Sequence, residues 1–163
     1  MNNHTNRRTN RRTNRRTFVT LGALALIAPS FAVHATPTNL VQVWKDPNCG
    51  CCNDWVSYLQ VNGFTTEVFD TGNTAKRKQL GMPQQFGSCH TALIDGYVIE
   101  GHVPASDIKR LLSLRPKAIG LSVPGMVVGS PGMDGPVYKG RSDPYDVLLV
   151  LGEGKASVFK RYT

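Results

Sequence analysis

Three of the four cysteines of this chain fall within four residues, Cys49-Gly50-Cys51-Cys52, between an alternating apolar run, Leu40-Val41-Gln42-Val43-Trp44, and a helical pattern. The run reads as a first strand. Pro47-Asn48 then turns the chain, and Trp55, Val56 and Leu59 share one face of a helix that reaches Asn62 and stops at Gly63. Asp54 is placed in its first turn, where it suits the positive end of the helix dipole. A helix start offers free N–H groups and a favourable dipole, so a cysteine there has a lowered pKa and more thiolate, the form that attacks disulfides and binds soft metals. With Cys49 as the cap, Cys52 at the third position can face it, whereas Cys51 points elsewhere by the roughly 100° step per residue of a helix. Two thiols suffice for disulfide exchange. Three thiolates crowded on one helix end repel one another unless a cation joins them, so the extra cysteine points to metal.

The rest of the order follows from period and punctuation. Phe64 to Asp70 alternates and is rich in branched and aromatic residues, a second strand; Asn73 or Thr74 caps a short helix to Leu80, ended by Gly81 and Pro83. Thr91 to Asp95, Gly96 and Tyr97 to Glu100 make a hairpin, because Asp-Gly supplies the positive φ angles of a tight turn. Pro104 starts a third helix with Ile108, Leu111 and Leu112 on one face. Pro116 to Asp143 is loaded with Pro and Gly and shows no period, and a loop this long in a compact domain is usually functional or disordered. Tyr145 to Leu151 and Ala156 to Tyr162 form a second hairpin that extends or flanks the sheet. The fold class is α/β: a thioredoxin-like arrangement with a central mixed sheet flanked by helices, an added Pro/Gly-rich loop and a C-terminal β-hairpin.

The first residues read as an export signal rather than as fold. Thr-Asn-Arg-Arg occurs three times from Thr5 to Arg16, followed by an apolar run, Phe18 to Ala28, and a small-residue cleavage pattern, Val33-His34-Ala35. The run is short for a membrane span, and Arg15-Arg16-Thr17-Phe18-Val19 also fits twin-arginine export, with ordinary secretion as the alternative. Residues 1–35 are thus assigned to a cleaved signal and 36–163 to a single periplasmic domain, with no stable membrane insertion after cleavage. The whole chain is +8, but six of its nineteen basic residues and none of its eleven acids precede the cleavage site. The remainder carries thirteen basic against eleven acidic side chains, a net of +2, which removes the case for a nucleic-acid partner.

Four cysteines in an exported chain ordinarily suggest two structural disulfides. Here Cys51 and Cys52 are adjacent and poorly placed to bond each other, and Cys49 with Cys52 closes a small loop of the reducible, catalytic kind. A second constellation, Ser88-Cys89-His90-Thr91, stands where a thioredoxin-like protein brings a cis-proline against its CxxC. The Cys-His pair there reads as two further ligands, the alternative being a buried cysteine and an ordinary loop histidine. Thiolate and imidazole select Cu(I) or zinc rather than magnesium or calcium. Met126 and Met133, each after a Pro-Gly turn, tilt the choice to copper if they ligate and are loop packing if they do not. His102, after Gly101 at a strand end, is a weaker candidate ligand, read rather as structural or as a neighbour of the ligands.

Four stretches, Asn48-Cys-Gly-Cys-Cys52, Ser88-Cys-His-Thr-Ala92, Asp95 to Ala105, and Val-Pro-Gly-Met126 through Met133, resemble the CopG-like family of small exported bacterial proteins. The resemblance covers nearly all of the chain after the leader. It implies a thioredoxin-like fold, periplasmic copper binding, copper resistance and interconversion of Cu(I) and Cu(II). By position it implies Cys49, Cys51 and Cys52 as CxCC ligands, with Cys89 and His90 beside them. The expected partners are copper ions and other periplasmic copper-handling proteins. Two further readings stay open: a thiol–disulfide oxidoreductase with Cys49 attacking and Cys52 resolving, and a zinc-stabilised structural module.

Overall fold

In a computed structural model, residues 39–163 are described; the export signal assigned to residues 1–35 lies outside them. The elements run β1 (Leu40–Lys45), α1 (Gly50–Val61), β2 (Thr65–Phe69), α2 (Thr74–Gln79), β3 (His90–Ile94), β4 (Tyr97–Glu100), α3 (Ala105–Leu114), β5 (Gly120–Ser122), β6 (Tyr145–Val150) and β7 (Ala156–Tyr162). One seven-stranded sheet takes the order β2-β1-β3-β4-β5-β6-β7. β1 pairs in parallel with β2 and antiparallel with β3, and β4 pairs in parallel with β5, so the sheet is mixed.

The alternation that marks β1 is used as the pleat requires: Val41 and Val43 are both fully buried. They join Trp55, Val56 and Leu59 of α1, Ile108 and Leu111 of α3, and Tyr97 and Ile99 of β4 in the main core. Val98 points the other way from β4 and packs with Met82, Phe86 and Val150 in a second cluster. Both faces of β4 are therefore covered, which is why all four of its residues are buried. The β3–β4 turn has positive φ at both central residues, Asp95 and Gly96, as an Asp-Gly turn predicts.

The element order expected from sequence holds, with three local differences. Cys49 is the N-cap of α1 as expected, but with the helix beginning at Gly50, Asp54 lies beyond the first turn. Asn73 caps α2 by position, but its side chain makes no cap bond and instead reaches the segment before β3. The Pro/Gly-rich stretch contains β5, which pairs with β4 on one side and β6 on the other and so joins the C-terminal hairpin to the sheet. Three residues are too few to show a period. Gly120 is required there, because a Cβ would collide with the Val98 carbonyl oxygen. Among the described residues no helix is long and apolar enough to cross a membrane.

Candidate metal centre

The turn from β1 into α1 is tied by Asp46, whose carboxylate accepts the Asn48 N–H at 2.8 Å and whose carbonyl accepts the Cys49 N–H at 3.1 Å. This presents Cys49 as the cap, with Cys51 and Cys52 in the first helical turn. Cys49 and Cys52 are joined in a disulfide, and Cys51 and Cys89 are free. Cys51 Sγ lies 3.6 Å from Cys49 Sγ, and Cys52 Sγ lies 3.7 Å from the Cys89 carbonyl oxygen. The sulfurs of Cys49, Cys51, Cys52 and Cys89 all fall within 4.8 Å of one another. Sulfurs bound to one ion at about 2.3 Å lie at most about 4.6 Å apart, so the four are close to that limit, and Cys49 and Cys52 become thiolate ligands only once their disulfide opens.

Cys89 belongs to a second group as well. Its sulfur lies 3.2 Å from His102 Nε2 and 3.5 Å from His90 Nδ1, and donor atoms of Cys89, His90 and His102 again fit within 4.8 Å. Both imidazoles have no exposed surface. His102 is held by a loop: its Nδ1 donates to the Pro131 carbonyl at 2.8 Å. A carbonyl can only accept, so in the neutral ring Nδ1 carries the proton and the Nε2 lone pair faces Cys89. Metal-binding histidines are commonly oriented in this way. His90 sits between Trp55, at 4.3 Å between ring centroids, and His102, at 4.9 Å. Its Nε2 is buried without a hydrogen-bond partner. Such an orphaned polar atom is costly in an interior and calls for a missing partner.

The electrostatics keep the nitrogens neutral. Burial holds the His90 pKa well below its ordinary value, helped by His102 and Lys45. Burial also lowers that of His102, against the opposing pull of its bond to Pro131 and of Asp134 and Asp54. Burial, with Cys51 nearby, pushes the Cys89 thiol up to about 12. Cys89 is thus a thiol that gives up its proton when a cation takes its place, beside two imidazoles already in their ligating form.

The structure brings Cys49, Cys51, Cys52, Cys89 and His90 together. The two methionines differ. Met126 is 59% exposed. Met133 is buried, and its sulfur accepts the Tyr138 hydroxyl at 3.2 Å. Gly132, just before it, is pressed on α1 so closely that a Cβ would meet the Cys51 carbonyl oxygen at 2.7 Å. His102, the weaker candidate of the sequence reading, stands in the second group. The signal for it was present: a two-residue turn at Asp95-Gly96 sets the register, and stepping outward from the Ile94–Tyr97 pair brings Cys89 opposite His102.

Comparison with known proteins adds an independent line. The family described as "Protein of unknown function, DUF411" matches residues 86–133, which span β3, β4, α3, β5 and the loop to Met133. No curated protein sequence matches the chain. Two solved structures of a copper resistance protein CopG, Form 1 and Form 2, are each 44% identical to it. They superpose with TM-scores of 0.71 and 0.70, over 78% and 76% of this chain and 98% of theirs. At that identity and coverage, with the cysteine cluster in place, the chain belongs to the CopG-like family.

Proposed function

We propose that this protein binds copper in the periplasm as part of copper resistance, through a thiolate-rich centre made of Cys49, Cys51, Cys52, Cys89 and His90, with His102 added to that set and Met126 and Met133 as supplementary thioether donors. The observation that carries this reading is the sharing of Cys89 between a cluster of four sulfurs and a Cys-His-His group. Thiolate and neutral imidazole are the donors that copper and zinc take and that magnesium and calcium do not. The tautomer imposed on His102 supports a centre shaped for a soft cation. Copper is favoured over zinc because the family's solved members carry copper resistance in their name and because the donors exceed the four a closed zinc site uses. A thiolate bridging two ions is within reach of a residue that belongs to both groups.

The Cys49–Cys52 disulfide supports interconversion of copper oxidation states at the same place. Opening it yields two thiolates. In the forward direction the Cys49–Cys52 dithiol loses two electrons and two protons as the S–S bond forms, and two Cu(II) ions take one electron each to become Cu(I). The reverse direction consumes the disulfide and returns Cu(II). Copper is the substrate of this reaction, and Cys51 and Cys89 remain as thiol donors throughout.

Titrating the reduced protein with Cu(I) against a competing chelator tests the reading. Tight binding is expected in the parent protein, weakened by about tenfold or more in Cys51→Ser. An absence of tight binding, or no loss in Cys51→Ser, overturns it. The disulfide at a helix start also favours a second reading, thiol–disulfide exchange with Cys49 attacking and Cys52 resolving. That activity would survive Cys51→Ser and ignore copper chelators.

A further inference from the structure

The segment just before Cys89 is held by a buried polar cluster that the copper chemistry does not itself use. Glu100, with no exposed surface, accepts three hydrogen bonds: from Arg77 Nε at 2.9 Å, from the Ser88 backbone N–H at 2.7 Å and from the Thr91 hydroxyl at 2.6 Å. Arg77, 4% exposed, also donates to the Ser88 carbonyl and, at 3.0 Å, to Gln84 Oε1. Asn73 Nδ2 donates to the same Ser88 carbonyl at 3.1 Å and to Thr91 Oγ1 at 3.3 Å. The Ser88 hydroxyl in turn donates to the Gly125 carbonyl and faces Cys89 Sγ at 3.8 Å.

Every polar group of Ser88 is thereby fixed, and the next side chain in the chain is Cys89. A buried ion pair is weak as a source of stability, since removing two charges from water costs several kcal/mol per ion and apolar residues of the same size often do as well. Its strength lies in direction: a guanidinium and a carboxylate meet in one geometry and pass that geometry to what they hold. Arg77 stands in the basic run Lys76-Arg77-Lys78 of α2. Turning the middle residue inward places its fork on both Glu100 and Ser88.

We propose that Arg77, Glu100 and Asn73 are positioning residues for Cys89: they clamp the Ser88 peptide groups so that the Cys89 sulfur stays where the two donor groups overlap. This deepens the copper reading above and rests on it for its consequence, but the clamp itself is a property of the metal-free chain. Its failure and the failure of the copper reading are therefore separable. None of the three belongs to either donor group; they act through Cys89, as the outer partners of metal ligands do.

The test uses two measurements on the full chain. In the metal-free protein with its disulfide closed, Cys51 and Cys89 are the free thiols, and the ratio of their alkylation rates by iodoacetamide reports how well Cys89 is held, with Cys51 as the internal reference. Glu100→Gln is expected to raise the Cys89:Cys51 ratio severalfold, and Asn73→Ala to raise it by less. Both are expected to weaken Cu(I) binding after reduction, Glu100→Gln by about ten- to a hundredfold. Asp107→Ala serves as the comparison: it removes the acceptor of the Tyr162 hydroxyl at 2.7 Å and destabilises the fold without touching Ser88. A ratio unchanged in both clamp variants overturns the proposal. So does an equal rise in Asp107→Ala, which would show that any loss of stability loosens Cys89. If Glu100→Gln does not fold, Asn73→Ala decides alone, because it leaves the buried ion pair in place. If the parent protein takes up no copper, the copper reading falls and the alkylation ratio still decides the clamp.

Discussion

Cys49, Cys51 and Cys52 come from four consecutive residues at one helix end, whereas Cys89, His90 and His102 come from the two open ends of a hairpin, with His102 held by a loop carbonyl. The first group is half exposed apart from Cys52 and is partly spent in a disulfide. The second has two imidazoles with no exposed surface and needs no disulfide opened, only the Cys89 proton released, before it can bind. The local group can change its donors by redox chemistry. The assembled group is preorganised and cannot. Cys89 is the one residue common to both.

That sharing gives the sharpest way to break the comparison. Cys89→Ser removes a donor from both groups at once, while Cys51→Ser removes one from the helix end alone. Cu(I) competition titration of the reduced variants should show a loss of at least about a hundredfold for Cys89→Ser, above the ten- to hundredfold typical of losing an outer partner. Cys51→Ser should fall less. If the two variants weaken binding equally, Cys89 is an ordinary fourth thiol and the overlap of the groups has no functional weight.

How much of each group can be read from the chain follows from the same contrast. The CxCC donors need only a strand, a turn and a helix start, all of which depend on a few consecutive residues from Leu40 to Gly63. The hairpin group needs register, and register is local only when the turn is unambiguous. Asp95-Gly96 is such a turn, so the opposition of Cys89 and His102 was accessible from the sequence. What no local pattern announces is the third dimension. The Pro131 carbonyl reaches His102 across 29 residues of sequence, and Arg77 turns inward from a run of basic residues because Glu100 waits in a strand 23 positions on. Likewise β5 is three residues long and is defined by its two neighbours rather than by its own pattern.

The burial of the two histidines sharpens the comparison through pH. Their folded pKa values lie below the ordinary value of about 6.5, so the unfolded chain binds protons more readily than the folded one. Their contribution to stability is then fully present above that value and is lost as pH falls from it towards the depressed folded values. Thermal unfolding of the metal-free protein should show a falling midpoint between about pH 7 and 5, by roughly 4 °C or so for each kcal/mol lost. His102→Gln should flatten part of that slope, and Cys51→Ser should not alter it. A slope identical in parent and His102→Gln would mean that His102 is charged or hydrated at no cost, and the preorganised half of the comparison would fail.

The methionines test the boundary of the assembled centre and carry the smallest expected effects. Met126 has 59% of its surface exposed, so its side chain has little to do with packing. Met133 is buried, accepts the Tyr138 hydroxyl and follows the glycine seated on α1. Leucine keeps the bulk of either side chain and removes the soft sulfur. Met126→Leu should therefore leave unfolding within about 0.5 kcal/mol of the parent and, if its thioether supplements the thiolates, lower Cu(I) affinity severalfold without changing zinc affinity. Met133→Leu should cost up to about 1.5 kcal/mol of stability, with its effect on copper secondary to that loss. The order of these two effects matters more than their size. Affinity falling in Met126→Leu with stability intact places the turn after Val123 over the thiols, because an exposed sulfur can reach an ion only if its loop closes on it. Affinity unchanged in both variants confines the centre to the six residues already gathered at the helix end and the hairpin.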